Sequence, residues 1–474
     1  MSAALTSPPS LSSSAQGTSP LTYDETVKGL CYDPASQVTQ ILHQLQATGS
    51  QVNKAEYLYN NVGNRTSLTD RRGSQAFGYD NLDRLTSATH PLLATPQAFA
   101  YDAVGNRTTA GNVTNAGNQL TADATHSYQY DDNGNLTRKT LLATGNYTQY
   151  TYDAENRLTK VEDFVAGATT AAFTSTYRYD GLGRRIEKVA NGQTKRYIYD
   201  GEDILLEYDG ANALQARYTH GPGIDEPIAV TKGGNTFFYH QDGLGSVTDL
   251  TDSAGAMAKS YSYDAYGTIV DQAGTVDQPY TYTGREFDAE SGLYYYRARY
   301  YDSTTGRFLQ EDPIGIFGGT NNLYQYAGGN PISLVDPLGL ETCLLTTVGP
   351  VGIRDHASIY TSRGDGGGAA IYDPAGAFSR ANHAGSGDVV TGPAASIEKY
   401  KKFHQGQEVE LTCKQTSQDE EEAIINKAMD LPSAGPGQCS SFSSTALGGQ
   451  PSFPNVQPGT FWPGNLLRQI RSGP

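Results

Sequence analysis

Cysteine is scarce in this chain and tryptophan almost absent, with 4 Cys and 1 Trp among 474 residues. Cys31, Cys343, Cys413 and Cys439 stand far apart, which excludes a disulfide framework and a zinc-finger spacing. No cofactor and no metal are called for. No apolar run approaches the ~18 residues of a membrane-spanning helix. Basic residues are outnumbered, 34 Lys and Arg against 50 Asp and Glu. A formal charge of −16 argues against nucleic acid as a partner, because phosphate binding needs basic surface. The opening "MSAALTSPPSLSSSAQGTSP" lacks the basic-then-apolar order of a secretory signal and reads as a disordered leader.

Glycine (53) and tyrosine (33) are abundant, while only 37% of residues are hydrophobic. That mix suits a β-rich repeat packed through rings. From residue 57 the chain echoes itself in "YLYNNVGNRTSL", "FGYDNLDRLTSA", "FAYDAVGNRTTA", "YQYDDNGNLTRK", "YTYDAENRLTKV" and "YRYDGLGRRIEK", with looser copies to "YSYDAYGTIV". Copies mostly recur every 20 to 29 residues, about ten in all, so a solenoid-like sheet is expected rather than a globule. Each unit reads as a hairpin. Aromatic-x-Tyr puts two rings on one face of a strand, Asp opens a turn, and Gly-Asn tolerates positive φ. The rings could serve as a scaffold or, if exposed, bind sugar. Their strand positions favour the scaffold.

These motifs resemble the YD repeats of Rhs proteins and of the C subunits of insecticidal Tc toxins. The likeness covers residues 50 to 340 and includes a closing segment, "YTGREFDAESGLYYYRARYYDSTTGRFLQEDPIGIFGGTNNLYQYAGGNPISLVDPLGL". It implies a mainly β fold: a β-hairpin solenoid or partial shell, plugged by the closing segment and followed by a variable toxin domain. The expected division is 1–50 leader and lead-in, 51–280 YD-repeat scaffold, 281–340 closing segment, and 341–474 toxin. The chain looks like the C-terminal part of such a protein, without a segment resembling the PAAR spike module.

Asp-Pro-x-Gly in "VDPLGL" makes a good turn by itself. By resemblance it is also a self-cleavage motif, worked by two carboxylates. Asp312 in "QEDPIG" and Asp336 in "VDPLGL" match the family's pair, and Arg299 in "RARYYD" matches an arginine that supports them. Two close carboxylates resist joint ionisation, so one activates water while the other polarises the peptide carbonyl. The implied cut falls between Leu340 and Glu341.

Beyond the cut only Tyr360, Tyr372 and Tyr400 remain of the 33 tyrosines. The tail carries 10 basic and 13 acidic residues, which argues against a nuclease. "HASIYTS" and "AAIYD" read as a hairpin across a Gly-rich turn. "SQDEEEAIINKAMDL" reads as a helix with acids in its first turn. In "GPGQCSSFSSTALGG", Cys439 would open a short helix, whose N-terminus stabilises a thiolate. A strand His before a helix-leading Cys resembles the circularly permuted papain-like enzymes related to NlpC/P60 hydrolases. That likeness implies a small α+β domain with Cys439 as nucleophile, His356 as base and Asp373 as the group orienting the imidazole. A turn centred between Asp365 and Gly366 sets Asp373 opposite Ser358, diagonal to His356. His383 is the fallback orienter, and Gln438 a candidate oxyanion donor. Singly, a helix Cys is more often a small buried hydrophobe and a strand His structural. Their order behind a release motif is what singles them out. Cys343 is expected to be unstructured or buried, and Cys413 in "VELTCKQ" a core strand residue.

The resemblance implies a secreted effector for competition between bacteria, made in the cytoplasm and delivered into target cells by a secretion apparatus. Its partners would be a cognate immunity protein, a spike or carrier, and a peptide, protein or lipid substrate. A non-catalytic binding toxin and a structural surface protein are the readings from other classes.

Overall fold

The computed structural model describes residues 26–35, 37–45, 48–221, 225–313 and 322–336. Beyond these it describes five strands between 341 and 415 and the residues Ser443, Leu447 and Val456. Antiparallel strands dominate. Thr26–Tyr32 to Gln97–Ala98 form a seven-stranded sheet, and Val113–Thr114 to Ile269–Gly274 a sixteen-stranded one. In both, each strand pairs with the next in sequence, as hairpin repeats require.

One unit explains the others. Along Tyr147–Tyr152, Tyr150 is buried and Tyr152 half-buried on the same face. The Tyr152 hydroxyl donates to the Leu136 carbonyl at 2.8 Å, one unit back. Tyr79 bonds Arg65 (2.6 Å), Tyr101 bonds Leu85 (2.8 Å), Tyr199 bonds Arg185 (2.9 Å) and Tyr263 bonds Val247 (2.6 Å) in the same way. This bond explains why the second ring is tyrosine: phenylalanine would fill the space and leave the carbonyl without it. The following aspartate builds the turn. Asp153 Oδ1 accepts the amides of Glu155 (2.9 Å) and Arg157 (3.0 Å), while Arg157 Nε donates to Oδ2 at 2.8 Å. Burial pushes the Asp153 carboxyl up, but these donors outweigh it and hold it below its ordinary range. Gly183 takes the positive-φ corner at 86°; Asn156 and Asp83 fill the same corner at 60°, as Asn and Asp can. The pairing slips by one residue at the second ring, between Thr151 and Tyr152 and again between Arg178 and Tyr179. Such bulges bend a strand, and a bend in successive hairpins curls the ribbon.

The curl brings the first strands against the last. Gly243 N donates to the Tyr57 hydroxyl (2.7 Å), Asn53 donates to Asp249 (2.7 Å), and the His43 and His240 rings meet edge to face at 4.9 Å. The closing segment fills the space between. Its four-stranded sheet runs Glu286–Asp288, Leu293–Tyr296, Arg299–Asp302 and Arg307–Phe308. Tyr294, Tyr296 and Tyr301 pack with Phe77 and Leu85; Tyr295 and Tyr300 pack with Tyr128, Tyr150 and Tyr177. Buried ion pairs pin it in place. Arg185 bonds Asp288 and Glu286 (2.7 Å to the latter), and Lys188 reaches Asp288 at 2.8 Å.

The tail forms a separate five-stranded sheet in the order Val389–Thr391, Ala370–Tyr372, Arg354–Thr361, Glu341–Val348, Glu408–Gln415. The expected hairpin is present. Ile359 lies opposite Tyr372 and Thr361 opposite Ala370, the register of a turn centred between Asp365 and Gly366. Cys413 sits in a strand, as anticipated. Cys343 is not unstructured: "ETCLLTTV" is rich in β-branched and aliphatic residues and forms the strand between two neighbours. The helix expected at "SQDEEEAIINKAMDL" lies outside the described residues. Ser443 and Leu447 are helical and buried.

Candidate active site

Arg299 stands on the third strand of the closing sheet, 2% exposed. Its guanidinium lies over the Phe308 ring at 3.7 Å, a cation–π contact that strengthens away from water. Nη1 donates to the Leu323 carbonyl at 3.1 Å. The same carbonyl accepts the Asp312 amide at 2.9 Å, so one oxygen fixes both the arginine and the backbone of its acid. Nη2 then bonds two carboxylates at once, Asp312 Oδ2 at 2.9 Å and Asp336 Oδ2 at 3.2 Å. Asp336 is buried and Asp312 half-buried.

Asp312 and Asp336 are thus neighbours across one nitrogen, although 24 residues separate them in sequence. Two carboxylates so placed repel each other, and either a shared cation or a proton on one member relieves the repulsion. Arg299 supplies the cation. The arrangement can hold one carboxylate ionised as a base while its partner takes up a proton to become a donor. Leu340 lies outside the described residues; Glu341 begins the first tail strand.

The structure brings together the three side chains named from the motifs. Leu323 and Phe308, which hold Arg299, were not legible: one acts through its backbone and the other through its ring face. In the tail, His356 faces Thr347 in the strand pairing. Cys439, Asp373, Gln438 and His383 lie outside the described residues.

The model of the teneurin YD-shell family matches residues 25–332. The chain belongs to the YD-shell family. Three relatives are similar to part of this chain. A double-stranded DNA deaminase toxin of Burkholderia cenocepacia is 32% identical over 65% of this chain and 24% of its own length. A tRNA3(Ser)-specific nuclease, WapA, of Bacillus spizizenii is 36% identical over 57% and 12%. A probable deoxyribonuclease, RhsA, of Dickeya dadantii is 30% identical over 61% and 21%. The chain therefore spans between about an eighth and a quarter of these relatives. All three names specify a nucleic acid, which runs against the expectation that nucleic acid is not a partner. The family match itself ends at residue 332, before the expected cut.

Proposed function

We propose that this YD-shell chain is a toxin carrier for competition between bacteria, which cuts itself after Leu340 and frees residues 341–474 as the toxin. The observation that carries the reading is the shared Nη2 of Arg299, holding Asp312 and Asp336 together. In the cut, the ionised carboxylate takes a proton from a water as its oxygen attacks the Leu340 carbonyl carbon. The protonated partner donates to the carbonyl oxygen. Collapse of the tetrahedral intermediate breaks the C–N bond as the carboxyl that took the water's proton passes it to the departing nitrogen, leaving a carboxyl on Leu340 and an amine on Glu341. The scissile bond lies four residues beyond Asp336 in sequence. A cognate immunity protein and a delivery apparatus would accompany such a toxin, which is made inside its producer and acts in the cell that receives it.

For the freed tail the residues favour a Cys–His hydrolase or acyltransferase, with Cys439, His356 and Asp373 as nucleophile, base and orienter. The helical Ser443 and Leu447, four and eight residues after Cys439 in sequence, support this reading. A second reading, an enzyme acting on nucleic acid, is favoured by the names of the three relatives. Induced expression in a test bacterium separates the two. The hydrolase reading expects growth arrest that Cys439→Ala abolishes, with DNA and tRNA intact. Arrest that survives Cys439→Ala, with DNA or tRNA altered, overturns it in favour of the second.

A further inference from the structure

The first tail strand, Glu341–Val348, lies between Arg354–Thr361 and Glu408–Gln415. Against the latter its register is unbroken from Glu341 opposite Gln415 to Val348 opposite Glu408. Within that ladder Cys343 stands directly opposite Cys413. Directly opposed residues of antiparallel strands have Cα atoms about 4.5 or 5.5 Å apart, depending on the hydrogen-bonding phase. Both spacings fall inside the roughly 4.4–6.8 Å that a disulfide spans. The chain has four cysteines, and two of them occupy opposed positions 70 residues apart in sequence. Glu408–Gln415 is an edge strand of its sheet, and Glu341–Val348 starts at the residue that the proposed cut would turn into a new N-terminus.

We infer that Cys343 and Cys413 form a reversible cross-strand disulfide that ties the start of the tail to its edge strand in an oxidising compartment. The inference rests on the strand register and stands whether or not the chain cuts itself. Two thiols lose two protons and two electrons as the S–S bond forms. The electrons pass to a disulfide oxidant, such as oxidised glutathione or an oxidised thiol oxidoreductase, which is released as two thiols. Reducing conditions inside a cell return the pair to thiols. The bond would hold the first strand in its sheet after release and loosen it again in a reducing cytosol.

The test uses the full chain, equilibrated in glutathione buffers from fully reduced to fully oxidised, acid-quenched, alkylated and digested with trypsin without reduction. Lys and Arg positions put the four cysteines in four different peptides: 29–54, 308–354 (or 341–354 after a cut), 403–414 and 428–468. The expected product is the second peptide linked to 403–414, 2 Da lighter than the sum of the two free thiol peptides, and absent from both Cys343→Ser and Cys413→Ser. Full alkylation of Cys343 and Cys413 in the oxidised buffer overturns the inference. So does a link from either residue to Cys31 or Cys439 in place of this pair.

Discussion

Two charge clusters sit in the closing segment, and they differ in how cations are shared out. Around Asp288, two cations meet three carboxylates: Arg185 bonds Asp288 and Glu286, and Lys188 bonds Asp288 and Glu290. Burial pushes the Asp288 carboxyl up, yet Arg185 and Lys188 outweigh it and hold it below its ordinary range. Asp288 is fixed as an anion and serves as an anchor. At Arg299 a single nitrogen bonds both Asp312 and Asp336. A carboxylate pair that can pass between two protonation states can do acid–base work. What separates the two clusters is the central acid: Asp288 is bonded by both Arg185 and Lys188, whereas Asp312 and Asp336 meet at one nitrogen of Arg299.

Breaking the anchor is expected to have the largest effect on stability. Arg185→Met leaves Asp288 and Glu286 buried with one cation fewer and should cost about 3–5 kcal/mol, read as a lowered urea midpoint. An unchanged midpoint would mean that the ion pairs do not hold the plug. Arg299→Lys keeps the charge but loses the planar fork that reaches Leu323 and both acids together. Self-cleavage should slow by about tenfold or more, equivalent to ~1.4 kcal/mol, with a far smaller change in midpoint. Equal loss of stability and cleavage would make Arg299 another anchor.

A pH series sharpens the contrast further. Burial, with a smaller contribution from His43, pushes His240 down to about 3, and burial lowers His90 as well. Folded, these rings stay neutral; unfolded, they protonate near ~6.5. The unfolded chain therefore binds more protons between those values, so their stabilising contribution is complete above about pH 6.5 and falls as pH drops towards 3. Asp288 behaves differently. Its depressed folded value means its contribution is lost only below the ordinary carboxylate range, as pH falls through that folded value. Part of the stability lost between pH 6.5 and 5 should thus belong to His240, with His90 and His126, also lowered by burial, supplying more, and His240→Gln should make the slope shallower. A slope left unchanged in His240→Gln would assign it elsewhere.

Tyr152→Phe tests the smallest unit, the hydroxyl bond to Leu136, and should cost about 1 kcal/mol in urea unfolding. No change there would reduce that tyrosine to a ring.

The repeats were legible because local rules make them: two rings at period two, an aspartate that accepts its own turn amides, and a glycine corner. Why the second ring is tyrosine was not legible, since its acceptor belongs to the previous unit. Nothing near Arg185 in "GRRIEK" points to Asp288, 103 residues on. Arg299, Asp312 and Asp336 were found through resemblance of their motifs; no periodicity joins three residues on different segments. The tail hairpin could be read from alternation and its Gly-rich turn. The pairing of Cys343 with Cys413 could not, because two strands far apart in sequence carry no mark of their register.

The intact mass of the purified chain, beside Asp312→Asn and Asp336→Asn, tests the central claim most directly. Self-cleavage at the Arg299 pair predicts two wild-type fragments, residues 1–340 and 341–474, and a single uncut chain for each variant. A wild-type chain that stays whole, or an Asp336→Asn chain that still splits after Leu340, contradicts it.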